Sequence, residues 1–303
     1  MGIPNFIMLV GLVGSGKSTK AKELAIEYNA EIFSSDALRE ELFGDINDQK
    51  HNQELFIELR RRIKDCLRSG KSVVMDACNI NYKKRMAFLA ELKNIQCAKI
   101  CVLMATPYEE CWQRNSKRDR KVPGYVMKRM YFSFNIPYWH EGWDDIQIIY
   151  ADGAKGKYGS VCDWVNSVMD YNQNNSHHSL TLGEHCLKTF EYLDKRPVKF
   201  WEIKTAALIH DCGKTKSATY INNKGEQTDE CHYYSHQYCG SYDSLFFSGI
   251  DRHLYVAVLI MWHMTPYMAW RQSEKAKDRD KRILGKLLFD DICLLHEADK
   301  SAH

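Results

Sequence analysis

Residues 11–18, GLVGSGKS, constrain this chain more than any other stretch of its sequence. They follow an apolar run at 6–10 and precede a helix-like segment at 19–28. A strand, a glycine-rich turn and a helix start in that order form a P-loop, in which backbone N–H groups and the positive helix end surround phosphate oxygens. The sequence therefore predicts a site for a nucleoside triphosphate, ATP, in preference to a glycine-rich turn without a ligand.

The motif also predicts individual roles. Lys17 is expected to reach the β- and γ-phosphates of ATP, and Ser18 to place its hydroxyl on Mg²⁺. The residues expected to hold the nucleotide are Gly11, Gly14, Ser15, Gly16, Lys17, Ser18 and Thr19.

Short apolar runs in the first half alternate with helix-like segments. Strands are predicted at 6–10, 30–33, 72–75, 98–104 and 146–150. This pattern predicts an α/β P-loop NTPase domain over residues 1–152, with a parallel sheet covered by helices on both faces. Ligands of such sheets bind beyond the carboxyl ends of the strands, so polar residues there are candidate site residues.

Two carboxylates follow predicted strands at that edge. Asp36, after the second strand, is either a helix N-cap or a general base, with Arg39 one turn further on to grip a phosphate of the acceptor. Asp76, after the third strand, is either a cap or a residue that holds a Mg²⁺-bound water or orients a substrate hydroxyl. Asn79 lies three residues beyond it.

A basic run follows the fourth predicted strand. Residues 114–121 carry five basic side chains and one acid. Arg114 and Arg118 are spaced i, i+4, which predicts that they share one helical face, as the lid of a P-loop kinase would require to clamp the donor phosphates. The alternative is a solvated charged face.

These residues together resemble the kinase domain of the polynucleotide 5′-kinase family. The resemblance rests on residues 11–18, Asp36 with Arg39, Asp76 with Asn79, and the run from Arg114 through Arg118 to Val122-Pro123. It implies transfer of the ATP γ-phosphate to a 5′-hydroxyl end of RNA or DNA. It further implies that Asp36 is the base, that Lys17 and Ser18 hold phosphates and Mg²⁺, and that Arg39, Asp76 and Asn79 lie on the substrate side.

Glycine and asparagine clusters mark a junction at 153–178, with a short helix predicted at 161–171. His177 and His178 in this linker are weighed as substrate contacts against exposed histidines without a role. From 179 to 303 the pattern predicts an all-α domain, with helices at 182–193, 200–209, 236–247, 254–262 and 282–299.

Imidazoles and carboxylates recur on those helices, and a helical bundle can bring them to one centre. Imidazoles with a shared carboxylate are ligands for one or two divalent transition metals. The candidate ligands are His185, His210, Asp211, His236, His263 and Asp299.

The ligand pattern resembles the HD phosphohydrolase superfamily. The resemblance implies a two-metal site for ions such as Mn²⁺, Ni²⁺, Co²⁺ or Fe²⁺. Asp211 would bridge the two ions, His236 and His263 would bind the second, and Lys214 would hold a phosphate oxygen. His232, four residues before His236, is the alternative ligand.

The two halves together resemble bifunctional polynucleotide kinase-phosphatases of RNA repair. Such an enzyme phosphorylates 5′-hydroxyl ends and removes 2′,3′-cyclic, 2′- or 3′-phosphates, which leaves sealing to a separate ligase. One alternative is a nucleoside or small-molecule kinase fused to an HD nucleotidase. A second is an ATP-sensing module with a structural metal site.

Composition excludes several other classes of protein. Of the 303 residues, 45% are apolar and 27% are charged, which is ordinary for a globular chain long enough for two domains. The N-terminus leads directly into the first predicted strand, and apolar runs are too short to span a bilayer. The eleven cysteines are scattered, without a Cys-x-x-Cys pair. We therefore expect a cytoplasmic protein with reduced cysteines and no membrane segment.

Overall fold

The computed structural model describes residues 2–176 and 179–302, and the chain divides into two units. The first unit contains residues 1–127 and 137–151, and the second contains residues 128–136 and 152–303. The predicted linker histidines His177 and His178 lie outside the described residues. Each unit is described separately below.

A five-stranded parallel sheet forms the centre of the first unit. Its order is β2-β3-β1-β4-β5, so the strand that leads into residues 11–18 lies in the middle. The strands are β1 (Asn5–Val10), β2 (Ala30–Ser34), β3 (Ser72–Asp76), β4 (Ala98–Ala105) and β5 (Asp145–Tyr150). Each end lies within one residue of its predicted position, which confirms the parallel α/β architecture.

The helices of this unit connect the parallel strands. They are α1 (Lys17–Glu27), α2 (Ser35–Phe43), α3 (Asn52–Arg68), α4 (Tyr82–Glu91), α5 (Tyr108–Ser116) and the first half of α6 (Gly124–Tyr131), whose residues from 128 onwards belong to the second unit. Helix α1 buries Ala21 and Leu24 against Leu9 and Val102 of the sheet. Burying a leucine side chain contributes about 1.5–3 kcal/mol, so this contact anchors the helix that starts at the P-loop.

The second unit consists largely of helices. Beyond the end of α6, they are α7 (Val161–Ser167), α8 (Leu182–Asp194), α9 (Glu202–Ile209), α10 (Lys214–Ser217), α11 (His236–Asp243), α12 (His253–Trp262), α13 (Glu274–Leu284) and α14 (Lys286–Ser301). A π-helical turn, Pro266–Trp270, follows α12. Helix α8 packs against α9 and α14, and α12 packs against α11 and α9.

The prediction that the second half is all-α is wrong in one place. Strands β6 (Ala218–Ile221) and β7 (Gln227–Tyr233) form an antiparallel hairpin closed by a turn that ends at Gly225, whose φ is +83°. Strand β6 has only four residues and β7 is mostly polar, so neither shows the apolar alternation that identifies a strand in sequence. The predicted helix 282–299 is likewise divided, because Gly285 (φ +74°) ends α13 before α14 begins.

Two further expectations concern membranes and cysteines. Among residues 2–176 and 179–302, no helix combines the length and the apolar character needed to cross a bilayer. All eleven cysteines lie in these ranges and are free thiols, most of them buried.

Candidate functional site

The P-loop conformation depends on two glycines with positive φ. Gly14 (φ +82°) lies so close to α5 that a Cβ would be 2.5 Å from the carbonyl oxygen of Cys111. Gly16 (φ +91°) is the N-cap residue of α1. A side chain at either position would be strained or would clash, so the loop conformation requires glycine at both.

The side chains of the loop fit a phosphate ligand. Lys17 Nζ donates to the carbonyls of Gly11 (3.1 Å) and Leu12 (2.7 Å), and the residue is 8% exposed. Ser15 Oγ is buried without a hydrogen-bond partner among the described residues, which leaves it free to bind a phosphate oxygen. Ser18 is exposed on the first turn of α1, where it could hold Mg²⁺.

Asp36 lies at the same edge of the sheet and pairs with two arginines. Ser34 is the N-cap of α2, so Asp36 occupies the first helical turn and not the cap. Its Oδ1 accepts from Arg39 Nη1 at 3.0 Å, and its Oδ2 lies 2.9 Å from Arg120 Nη1. Arg39 is 5% exposed and also donates to Asn52 Oδ1 at 2.9 Å.

Asp76 and Asn79 both lie at the carboxyl end of β3, at its last residue and three residues beyond it. Asp76 ends β3 directly opposite Ser34 and is 8% exposed. Asn79 (φ +49°) donates its side-chain amide to the carbonyl of Leu9 in β1 at 2.8 Å. The amide nitrogen of Asn79 therefore holds the strand before the P-loop, and substrate contact by this residue remains a prediction.

A buried ion pair supports the loop that contains Asn79. Arg85 donates to Glu141 from Nε at 2.7 Å and from Nη2 at 2.6 Å, and both side chains are almost completely buried. Trp143 Nε1 also donates to Glu141, at 3.0 Å. Arg85 Nη1 donates to the carbonyl of Asn79 at 2.9 Å, so the ion pair fixes the backbone that follows β3.

The prediction that Arg114 and Arg118 share a helical face is wrong. Helix α5 ends at Ser116, so Arg118 lies in the following turn. The Asn115 side chain is the physical reason, because it bonds both the N–H and the C=O of Val122 and closes the segment into a loop. Arg114 Nη1 lies 3.5 Å from the Gly14 carbonyl oxygen, and both Arg114 and Arg118 are exposed.

Six predicted metal ligands meet in the interior of the second unit. One group contains His185, His210 and Asp299, the other contains Asp211, His236 and His263, and all six are buried. Ligand atoms within each group lie within 4.8 Å of one another.

Asp211 lies between the two groups. Its Oδ2 is 3.4 Å from His210 Nε2 and 3.6 Å from His185 Nε2, while its Oδ1 is 3.1 Å from His236 Nε2. Each oxygen therefore faces one group, as a bridging carboxylate would.

Backbone carbonyls orient the four imidazoles. Each Nδ1 lies 2.7–3.2 Å from the carbonyl of Ala302, Ala207, Tyr233 or Ile260. Donation of Nδ1–H to these carbonyls leaves Nε2 pointing into the cluster, which is the usual arrangement of a metal-binding histidine. His185 and His210 then bring their Nε2 atoms to 3.1 Å, and His236 and His263 to 3.2 Å. Lone pairs at these separations repel unless a cation or a proton lies between them, so the donor set fits divalent metal ions.

The electrostatics of the cluster favour cations. Burial disfavours a charge on His210, but Asp211 and Asp299 outweigh it and raise its pKa to about 9. Burial lowers the pKa of His263. Although burial acts to raise it, the pKa of Asp211 is held well below its ordinary value by Lys214 and His210. A metal ion and a proton therefore compete for the same imidazole nitrogen.

The structure distinguishes His232 from His236. His232 lies on β7, where its Nε2 is 3.1 Å from Thr228 Oγ1 and its ring stacks on Tyr234. His236 begins α11 and faces Asp211. Of the two histidines, His236 is the one in the cluster.

Two further residues belong to these sites but were not identified from the sequence. Arg120 binds Asp36, and its only sequence signal is its place in the basic run. Gln173 is 1% exposed and accepts from Lys214 Nζ at 2.7 Å, while the same Nζ lies 2.7 Å from Asp211 Oδ2. A glutamine in a loop carries no signal of such a role.

Comparison with known proteins gives one family profile and one relative with a similar sequence. A family profile described as an AAA domain matches residues 6–137. A relative named L-seryl-tRNA(Sec) kinase, from Methanococcus maripaludis, is 28% identical over 175 residues. That match covers 55% of this chain and 66% of the relative, so the chain spans just under two thirds of the relative's length.

Solved structures with partial likeness include an APS kinase and a Pnkp1/Rnl/Hen1 complex. The APS kinase CysC of Mycobacterium tuberculosis is 18% identical, with a TM-score of 0.37 over 49% of this chain and 90% of its own. A Pnkp1/Rnl/Hen1 complex is 20% identical, with a TM-score of 0.34 over 41% of this chain and 42% of its own. At these TM-scores neither structure bears on activity or substrate. The strand order, the loop geometry and the family profile agree that residues 6–137 contain a P-loop on a parallel α/β sheet.

Proposed function

We propose that the chain heals broken nucleic-acid ends, as an ATP-dependent 5′-hydroxyl kinase in its first unit and a metal-dependent phosphohydrolase in its second. The observation that carries the kinase activity is the position of Asp36. This carboxylate lies beside Arg39 at the carboxyl edge of the sheet whose central strand leads into the P-loop. A base and an anion-binding side chain thus lie on the acceptor side of a nucleotide site.

Each kinase residue has a defined task. The P-loop N–H groups and Lys17 hold the phosphates of ATP, and Ser18 would hold Mg²⁺. Asp36 takes the proton of the acceptor hydroxyl, whose oxygen forms a bond to the γ-phosphorus while the bond to the leaving ADP oxygen breaks. Arg114 and Arg118 neutralise charge on the transferring group.

Two observations favour an RNA or DNA acceptor. The relative with detectable sequence identity is named as a kinase of L-seryl-tRNA(Sec), and residues 114–121 form a basic run suited to a polyanion. The alternatives are a hydroxyl on a nucleoside or other small molecule, and an ATP-sensing module without transfer. Neither of these alternative functions requires basic side chains such as Arg39 on the acceptor side.

The phosphohydrolase activity rests on the six buried ligands. His185, His210 and Asp299 would hold one divalent ion, His236 and His263 a second, and Asp211 both; Mn²⁺, Ni²⁺, Co²⁺ and Fe²⁺ suit such donors. When bound, the ions would polarise the phosphate ester and lower the pKa of water.

The Lys214 ammonium pairs with the Asp211 carboxylate and keeps it in place. Lys214 would also contact a phosphate oxygen of the substrate. The alternative substrate of this unit is a free nucleotide. The second alternative is that the metal has a purely structural role and the unit has no hydrolase activity. Joining the healed ends would require a separate ligase.

The test uses an RNA oligonucleotide with a 5′-hydroxyl and a 2′,3′-cyclic phosphate, incubated with ATP, Mg²⁺ and Mn²⁺ while both ends are followed. We expect phosphate gain at one end and phosphate removal at the other. Asp36→Asn should abolish only the gain, and Asp211→Asn only the removal, so each variant is the control for the other. Undiminished transfer by Asp36→Asn would exclude Asp36 as the base, and phosphorylation of nucleosides alone would favour the small-molecule alternative.

The role of Arg118 is tested separately. Arg118→Ala should lower the rate of transfer about 10³-fold with ATP binding retained, as expected for an arginine that stabilises the transition state. A mild effect would favour the alternative that the basic run at residues 114–121 is a solvated charged face.

A further inference from the structure

Two buried polar atoms of the second unit lie beside the six candidate metal ligands and have no hydrogen-bond partner. They are the hydroxyl oxygen of Tyr267 and Nδ1 of His296, and neither finds a partner in the part of the chain that the structure describes. The two rings meet edge to face, with their centroids 4.2 Å apart. A buried polar atom without a partner costs free energy, and nearly all such atoms in proteins are satisfied by something. Two of them on adjoining rings indicate a place where a ligand completes the hydrogen bonds.

The chain places each residue about one helical turn from a candidate ligand. Tyr267 follows His263 by four residues, on the π-helical turn Pro266–Trp270. Such turns occur often at functional sites. His296 precedes Asp299 by three residues within α14, a spacing that puts two side chains on the same face of a helix.

The Asp299 carboxylate lies near both unpaired atoms. Burial and then the charge of Asp299 raise the pKa of Tyr267, although no acceptor among residues 2–176 and 179–302 completes a hydrogen bond with its hydroxyl. Burial lowers the pKa of His296, and the charge of Asp299 opposes that shift. The imidazole is therefore neutral at pH 7. A phenol and a neutral imidazole thus adjoin the ligand group that contains Asp299.

Exposure distinguishes these two residues from the ligands. All six ligands are buried, so a phosphate ester needs a route to them from solvent. Tyr267 and His296 are only partly buried, and Met268, directly after Tyr267, is 54% exposed. Their rings therefore reach the surface while the hydroxyl and Nδ1 lie inside. This arrangement is typical of side chains that line the approach of a substrate to a buried centre.

The other donor near the ligands is already engaged. Lys214 Nζ lies 2.7 Å from Asp211 Oδ2 and donates to Gln173 Oε1 at 2.7 Å. It therefore serves the side of the cluster formed by Asp211. On the side of Asp299, the hydroxyl of Tyr267 and Nδ1 of His296 are the unsatisfied polar atoms among the described residues.

We propose that Tyr267 and His296 form a phosphate-binding subsite of the second unit, in which the hydroxyl and Nδ1–H donate hydrogen bonds to a phosphate group bound at the metal site. Both donors are neutral and the phosphate oxygens carry negative charge, so the hydrogen bonds are charge-assisted. The inference rests on the proposed phosphohydrolase function and adds two residues that contact its substrate.

The experiment measures binding by isothermal titration calorimetry with the full chain, first of Mn²⁺ and then of inorganic phosphate to the Mn²⁺-loaded protein. Tyr267→Phe removes only the hydroxyl. It should raise the Kd of phosphate about 10-fold or more, as expected for loss of a hydrogen bond to a charged group. The Kd and the number of bound Mn²⁺ ions should stay unchanged.

The second residue is tested with a pair of variants. His296→Leu removes the Nδ1 donor and should weaken phosphate binding in the same way as Tyr267→Phe. His296→Asn places an amide N–H near the position of Nδ1 and should retain most of the affinity. A melting temperature for each variant checks that it is folded.

Tyr255→Phe is the matched control. Tyr255 lies on α12 and donates its hydroxyl to Asp291 of α14. This pair thus joins two helices that flank the cluster, but Asp291 is not among the six ligands. The variant should change neither the Mn²⁺ nor the phosphate affinity.

The outcomes separate the subsite from the proposed function. Unchanged phosphate affinity in Tyr267→Phe would overturn the subsite, as would an equal loss of Mn²⁺ affinity, because the hydroxyl would then act by positioning Asp299. Wild-type protein that binds Mn²⁺ but not phosphate would also overturn the subsite and leave the metal site intact. Absence of Mn²⁺ binding would refute the proposed phosphohydrolase and the subsite with it. The expected binding without removal of phosphate from RNA ends would refute only the choice of substrate.

Discussion

Replacing Glu141 with glutamine should destabilise the first unit strongly, although the two side chains have almost the same shape. Three donors, Arg85 Nε, Arg85 Nη2 and Trp143 Nε1, converge on the two oxygens of Glu141. Glutamine offers one oxygen and one NH₂ group, so at least one donor would face another donor. The Arg85 charge, 1% exposed, would remain buried without its counter-ion.

The expected cost is about 3–5 kcal/mol, the range for removing one partner of a buried ion pair. The chain provides a matched control in Arg60 and Glu91, which are 2.9 Å apart with side chains 29% and 35% exposed. Glu91→Gln should cost less than about 1 kcal/mol, because solvent screens that pair.

Hydrogen exchange of peptides from β1 and β3 during urea unfolding is the suitable assay, since it follows the first unit independently of the second. A loss for Glu141→Gln no larger than that for Glu91→Gln would refute the reasoning. The double change Arg85→Met with Glu141→Leu should recover most of the stability, because no charge remains buried. It should still impair phosphate transfer, because the bond from Arg85 to the Asn79 carbonyl is lost.

Three further outcomes are expected. Lys17→Ala should lower phosphate transfer about 10²-fold or more in a rate assay at saturating ATP, and a rate within a factor of a few of wild type would contradict the phosphate role. Asp211→Asn should bind less Mn²⁺ than the wild-type protein after dialysis against Mn²⁺, as measured by mass spectrometry. Mn²⁺ should raise the melting temperature of the wild-type protein but not that of the variant. Two ions retained per chain by the variant would contradict a bridging carboxylate. Burial lowers the pKa of His253, whose Nε2 bonds the carbonyl of Phe247. Folding therefore favours the neutral imidazole. The stability that His253 contributes is complete above its ordinary pKa of about 6.5 and declines as the pH falls below that value. Urea unfolding of the second unit from pH 7.5 to 5 checks this, and His253→Gln should flatten that part of the profile; an unchanged slope would assign the dependence to other groups.

Local sequence patterns were sufficient to predict elements whose signal lies within their own segment of the chain. The five parallel strands were predicted to within one residue because apolar runs bounded by polar residues are a property of the segment itself. The hairpin was missed because its strands are stabilised by pairing with each other, while β6 is only four residues long and β7 is mostly polar. The end of α5 at Ser116 was missed for a similar reason, since the Asn115 side chain bonds Val122 seven residues away.

The sequence by itself determined that this chain has a P-loop, a parallel sheet and a set of imidazoles and carboxylates on later helices. These follow from residue type and spacing, which act over one or two turns of chain. Only the tertiary structure decided that Asp211 faces both ligand groups, that His236 and not His232 joins them, and that Arg120 pairs with Asp36. Each of these depends on atoms from distant segments meeting within about 3–4 Å, the range of hydrogen bonds and ion pairs, and spacing along a chain does not encode such a distance.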